Sequence, residues 1–170
     1  MMGLNAMEPL TQITKNFKYY ELTKSNTATR LDIDNSINHQ ETLDSVIALT
    51  KHILQPVRDE FGAYKPNSIY RSQALERVLK KKPESWISKS QHPKGQAGDI
   101  EVLPVDNLEL ANWIERNLDF DQLILECFDP DGGLRSGWAH VSYKETGNRK
   151  EVLSYIKENG KYIYVQGLVS

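Results

Sequence analysis

His92 and Asp99 stand seven residues apart in Ser90-Gln-His-Pro-Lys-Gly-Gln-Ala-Gly-Asp99, and His140 follows forty-one residues later in Gly137-Trp-Ala-His-Val-Ser-Tyr143. Imidazole nitrogen and carboxylate oxygen are donors that zinc accepts, and three such ligands with a fourth position left for water are the set of a catalytic zinc centre. Zinc in such a set would bring the pKa of water down toward about 7, which is the basis of hydrolase chemistry at neutral pH. Gly95, Ala97 and Gly98 between the first two ligands let the backbone turn tightly and come close to the ion. That chemistry also needs a base for the attacking water and a cation for the developing oxyanion. Glu126 closes an apolar run, where a carboxylate is costly unless it faces a cavity, a metal or a partner. Arg71 follows Ile69-Tyr70 at the end of a short extended segment. The same residues also admit a plain structural reading. His92 could hydrogen-bond within a loop, Asp99 cap a turn, His140 sit satisfied in the core, Glu126 end a strand at the surface and Arg71 pair with a carboxylate.

The composition narrows the choice. With 170 residues the chain is long enough for one domain to bury about two thirds of the surface its unfolded form exposes, so no metal is needed merely to fold it. The single cysteine, Cys127, excludes an internal disulfide and a Cys-rich zinc cluster. A net charge of −2 from 21 basic and 23 acidic residues offers no field to draw nucleic acid or an anionic membrane, and Lys80-Lys81-Lys82 is the only basic block. The first residues have neither a basic start nor a long apolar core, and no window approaches a membrane span. We therefore expect synthesis in the cytoplasm without a signal peptide, no nucleic-acid partner and no membrane insertion. No oligomeric state is read from the sequence.

The elements that must carry these residues can be read in order. Residues 1–16 are polar and patternless, and we expect a loosely ordered arm ahead of one domain over 17–170. Phe17 and Leu22 anchor a docked loop running to Asn38. From Glu41 to Phe61, apolar residues recur every three or four positions, which predicts the longest helix, kinked or broken near Leu54 by Pro56 and ended by Gly62. His52 in it is expected to be surface or packing rather than a ligand. Asn67 to Ser72 reads as a short strand, Gln73 to Lys81 as a helix, and Glu84 to Ser90 as a covering loop. Asp99 to Leu103 alternates as a strand, and Asp106 with Glu109 opens a helix to about Leu118. Phe120 to Cys127 is a central strand that returns through Asp129-Pro-Asp-Gly-Gly133 as Trp138 to Tyr143, which sets Glu126 and His140 on neighbouring strands. Arg149 to Ile156 is read as a short helix and Tyr162 to Val165 as an edge strand. The sum is a single α+β domain with helices packed on a small, mainly antiparallel sheet.

The segment from Ser90 to Asp99 also resembles the Ser-x-His-x-x-Gly-x-Ala-x-Asp signature of the zinc D-Ala-D-Ala carboxypeptidase and L-Ala-D-Glu endopeptidase family, whose fold is shared with hedgehog signalling domains. Trp138-Ala-His-Val-Ser-Tyr143 resembles the segment of its third ligand, and Tyr70-Arg-Ser72 the segment of its substrate-binding arginine. Leu43 to Gly62, with Leu54-Gln-Pro-Val-Arg58, and Phe120-Asp-Gln-Leu-Ile124 resemble its phage and prophage branch, so the likeness covers roughly residues 17–156. It implies zinc held by His92, Asp99 and His140, and a peptidase acting on peptidoglycan stem peptides or cross-links. Substrate contacts would come from Arg71, Ser90 and Trp138. It further implies action at the bacterial cell wall, after release or as part of a virion. Several members carry their base as Glu-x-x-His, but here Gly137 stands at that position. Glu126 then takes the role, with Glu101 and Asp131 as fallbacks, or the protein is a non-catalytic zinc-containing wall-binding or virion module.

Overall fold

The computed structural model describes residues 2–169, so the outer limits assigned to the arm and the domain, Met1 and Ser170, lie outside the described residues. Five strands form one sheet: β1 (Ala97–Ile100), β2 (Gln122–Phe128), β3 (Trp138–Ser142), β4 (Glu151–Glu158) and β5 (Lys161–Gln166), in the order β1-β3-β2-β4-β5. Three of its four pairings are antiparallel; β2 with β4 is parallel. The expected single α+β domain with a mainly antiparallel sheet is thus what is seen, and the apolar run Leu123-Ile-Leu125 does lie at its centre.

Strand alternation divides the sheet into two faces. Ile100, Leu123, Leu125, Ala139 and Val141 are fully buried on one face. Against it lies α6 (Asn107–Asn117), which contributes Leu110, Ala111 and Ile114 and is capped by the Asp106 carboxylate accepting from the amides of Leu108 and Glu109. The other face carries Asp99, Ile124, Glu126, Trp138 and His140, because directly paired residues of antiparallel strands point the same way.

The long helical stretch is one continuous course with a wide turn in it. It runs as α3 (Gln40–Leu49), a π-helical turn over Thr50–Leu54 and α4 (Gln55–Phe61). Pro56 has no amide hydrogen to return to the carbonyl four residues back, and the helix responds just upstream by bonding the Gln55 amide to the Thr50 carbonyl. Leu43, Val46, Leu49, Ile53, Leu54 and Val57 are its fully buried stripe. Gly62 ends it at φ +91°.

Five expectations need correction. Asn67 to Ser72 is not a strand: Ser68 makes an isolated bridge to Asp99. Residues 2–16 are not a loose arm: Ile13 is buried, the Thr14 hydroxyl donates to Gln55 Oε1 at 2.8 Å, and Leu4 N donates to Gln40 Oε1 at 2.8 Å. The few apolar side chains of a mostly polar stretch suffice to seat it on the helices. The segment after Phe17 is not simply a loop, since α1 (Tyr19–Thr23) and α2 (Asn26–Arg30) lie in it, although Phe17 and Leu22 are its buried anchors. The strand read over Asp99 to Leu103 instead runs from Ala97 to Ile100, so Asp99 lies within β1 and not at its start. Finally, Arg149 to Ile156 is not a helix. It is strand β4 and the start of a hairpin whose two-residue turn is Asn159-Gly160, both at positive φ. Asn-Gly between alternating segments is the strongest short hairpin signal a sequence carries, and it is present here. Among the described residues no helix is long and apolar enough to cross a membrane.

Candidate metal centre and active site

The three candidate ligands come together. One donor atom from each of His92, Asp99 and His140 lies within 4.8 Å of the others. Asp99 pairs with His140 across β1 and β3, so their meeting follows from strand register. His92 arrives from a single 3-10 turn, His92–Lys94, which Gly95 closes at φ +72°. A Cβ at Gly95 would sit 2.5 Å from the Thr42 carbonyl oxygen, so only glycine lets this turn press against α3.

The hydrogen bonding of His92 selects its ligand atom. Its Nδ1 lies 2.6 Å from the Ile69 carbonyl oxygen, which can only accept, so Nδ1 carries the hydrogen and Nε2 of the neutral ring presents a lone pair. That buried Nε2 has no hydrogen-bond partner and faces Asp99 Oδ2 at 3.3 Å. Two electron-rich atoms pressed together in the interior call for a cation between them. His140 Nδ1 lies 2.9 Å from Asp99 Oδ1. Burial alone would push the Asp99 carboxyl up, but the His140 and His92 rings beside it outweigh that and hold it far below the ordinary carboxylate range. The donor set therefore fits a divalent ion of the zinc type, which prefers imidazole and carboxylate in a small coordination shell.

Glu126 sits on the same face, opposite Trp138 in the β2–β3 register and two pairs along from Ile124 and His140. Between Leu125 and Phe128, β2 has one residue more than β4, and Cys127 in this bulge has φ +48°. Bulges beside active sites re-aim side chains, and this one sets the direction of Glu126. Burial pushes the Glu126 carboxyl up; His140 pulls it the other way and the charge of Asp99 adds to the rise. A carboxylate of raised pKa close to a metal site is suited to take and return a proton.

The absence of an acid three residues before His140 has a steric cause. Gly137 has φ +67°, and a Cβ there would stand 2.3 Å from the Glu126 carbonyl oxygen and 3.2 Å from Phe128 N. Gly137 packs against the bulge that carries Glu126, so no side chain can occupy its position without displacing that strand. Of the fallbacks, Glu101 is engaged by Asn67 Nδ2 at 2.7 Å, and Asp131 is exposed on the β2–β3 turn.

Arg71 reaches the cluster from the other side, with Nη1 3.7 Å from Asp99 Oδ2. Sequence reasoning missed what holds it. Glu76, fully buried in α5 (Gln73–Leu79), lies 2.7 Å from Arg71 Nε in an ion contact out of line for a hydrogen bond, and also receives Lys80 Nζ at 2.8 Å and the Ser88 hydroxyl at 2.7 Å. Burial would push the Glu76 carboxyl up, but these partners outweigh it and hold it down. Asn35 fixes the backbone on either side of Arg71, donating to the Tyr70 carbonyl and accepting from Ser72 N. The signal was an acid one turn into a helix capped by Ser72, directly after the arginine. Ser90 accepts from His92 N at 3.3 Å and its own amide bonds Ser88 Oγ, so it braces the ligand turn. His52 stacks on Tyr143 at 4.5 Å, a packing role as expected.

The His92-Asp99-His140 cluster is a candidate metal site, with Glu126 on the sheet face that carries Asp99 and His140 and with Arg71 beside Asp99. A family model described as Peptidase M15 matches residues 15–130, and the chain belongs to that family of zinc D-Ala-D-Ala carboxypeptidase-like proteins. The match supports a peptidase, and peptidases of this family depend on zinc in general. It takes in His92, Asp99, Arg71 and Glu126 and stops before His140, which the β1–β3 register brings back beside Asp99. No curated protein matches the chain.

Proposed function

We propose that this protein is a zinc-dependent peptidase that hydrolyses peptide bonds of peptidoglycan stem peptides or cross-links, as a carboxypeptidase or endopeptidase. Its setting is phage or prophage related, with action at the cell wall after release or as part of a virion. The observation that carries the reading is the meeting of three ligand atoms within 4.8 Å on the sheet face that also bears Glu126. When bound there by His92, Asp99 and His140, zinc supplies Lewis acidity that brings the acidity of water into the neutral range. Glu126 takes the proton of the attacking water and returns it to the leaving amine. Arg71, held by Glu76, receives a substrate carboxylate or the developing oxyanion. Trp138, beside Glu126, and Ser90, at the ligand turn, complete the substrate contacts.

The test is digestion of purified peptidoglycan and muropeptides from several wall types, with new termini identified by mass spectrometry. Glu126→Gln is expected to retain zinc and to lose cleavage by roughly 100-fold or more. Wild-type digestion by that variant would remove Glu126 from its role. A zinc-loaded wild type that cleaves no wall type would instead leave a metal-containing binding module.

A further inference from the structure

Next to His140 lies a polar pocket of about 420 Å³ whose walls include Lys89, Lys94, Lys144, Arg149 and Asp121. Four cations against one carboxylate is an unusual lining in a chain that is acidic overall. Asp121 is fully buried and acts as the floor anchor. Arg149 grips it through Nε at 3.0 Å and Nη2 at 2.9 Å, Lys144 Nζ lies 3.2 Å from it, and Gln91 Nε2, one residue before the ligand His92, donates to it at 3.0 Å. One buried charge thus fixes two basic side chains that still reach solvent, together with the turn that carries a metal ligand. Lys89 and Lys94 are exposed and belong to none of the ion pairs among the described residues.

We propose that this pocket binds a carboxylate of the substrate peptide other than the one held by Arg71, so that the enzyme prefers acidic peptides to the same peptides with that carboxylate amidated. The inference rests on the peptidase reading and deepens it. Arg149 and Lys144 already share Asp121, and Arg149 also meets Glu151 at 3.3 Å. The cations that a substrate carboxylate would pair are therefore Lys89 and Lys94, and a neutral amide leaves those two without a counter-charge. The pocket shares His140 with the metal centre, so a carboxylate seated there lies a short reach along the chain from the scissile bond. Arg71 approaches the cluster through Asp99, by way of a different element. Two anchors on a peptide would define its register as well as its affinity.

The experiment uses pairs of synthetic stem peptides that differ only in whether one side-chain carboxylate is free or amidated. Zinc-loaded wild type is compared with the Lys89→Ala/Lys94→Ala double variant, whose two side chains are exposed and form no ion pair among the described residues. Wild type is expected to show a kcat/KM roughly tenfold higher on the acidic form, expressed mainly in KM, and the double variant a ratio approaching one. Equal rates on both peptides, or an unaltered ratio in the double variant, overturn the pocket assignment and leave the peptidase reading standing. If neither peptide is cleaved, the peptidase reading fails and calorimetric binding of the same pair decides the pocket. Tighter binding of the acidic form, lost in the double variant, supports it; equal or absent binding overturns it.

Discussion

Placing a side chain at Gly137 tests the steric account of the site directly. The backbone there has φ +67°, a left-handed conformation that costs a non-glycine residue about 1–2 kcal/mol. The added Cβ would also stand 2.3 Å from the Glu126 carbonyl oxygen, a contact that the two strands can relieve only by shifting. Forced repacking of that kind typically costs about 1–3 kcal/mol more. Gly137→Ala is therefore expected to lose about 2–5 kcal/mol, which for a chain of this length lowers Tm by about 5–15 °C. Gly137→Glu recreates the Glu-x-x-His spacing of other members, yet is expected to be at least as unstable and not to restore cleavage when combined with Glu126→Gln, because the new side chain disturbs the bulge that aims residue 126. Thermal unfolding followed by circular dichroism and peptide cleavage read both effects. A Gly137→Ala protein melting within about 2 °C of wild type, or a Gly137→Glu/Glu126→Gln protein cleaving at the wild-type rate, would refute the reasoning.

The remaining predictions concern the supports of the site. His92→Ala, Asp99→Ala and His140→Ala are each expected to abolish the stoichiometric zinc found by metal analysis of wild type, and chelation of wild type to lower Tm by about 10 °C, as for a ligand present at about a thousand times its Kd. Glu76→Gln leaves Arg71 without its buried counter-charge and is expected to raise KM by roughly tenfold with a smaller change in kcat; equal loss in both parameters would argue against a positioning role. Burial opposes the charge of Asp121, but hydrogen bonds from Arg149, Lys144 and Gln91 outweigh it and hold the carboxyl well below its ordinary range. A carboxyl depressed in the folded state contributes stability that is full above the unfolded value of about 3.9 and is lost as pH falls below it. Wild type is thus expected to exceed Asp121→Asn by about 2–3 kcal/mol at pH 7 in urea unfolding, with the gap closing from about pH 4 downward; a gap independent of pH would show that the charge is not what matters.

Residue types and local spacing determined a good part of this protein. The His92–Asp99 pair, the Glu41–Phe61 stripe, the central apolar strand and the Trp138–Tyr143 return were legible because each rests on periodicity or on turn residues that act within a few positions. Once Phe120 to Cys127 and Trp138 to Tyr143 are read as a hairpin, Glu126 and His140 must be neighbours. Arg149 to Ile156 reads as a helix in sequence because its apolar residues fit helical and alternating patterns alike, and only pairing with β2 decides for the strand. The docking of residues 2–16, the burial of Glu76 beside Arg71 and the gathering of four cations in the pocket lined by Asp121 were decided by tertiary structure alone. These join residues 5 to 41 apart in sequence, and nothing local records such distances. Gly137 shows the division most plainly. In the sequence it is a missing acid; in the folded chain it is the one residue small enough to lie against the strand that carries Glu126.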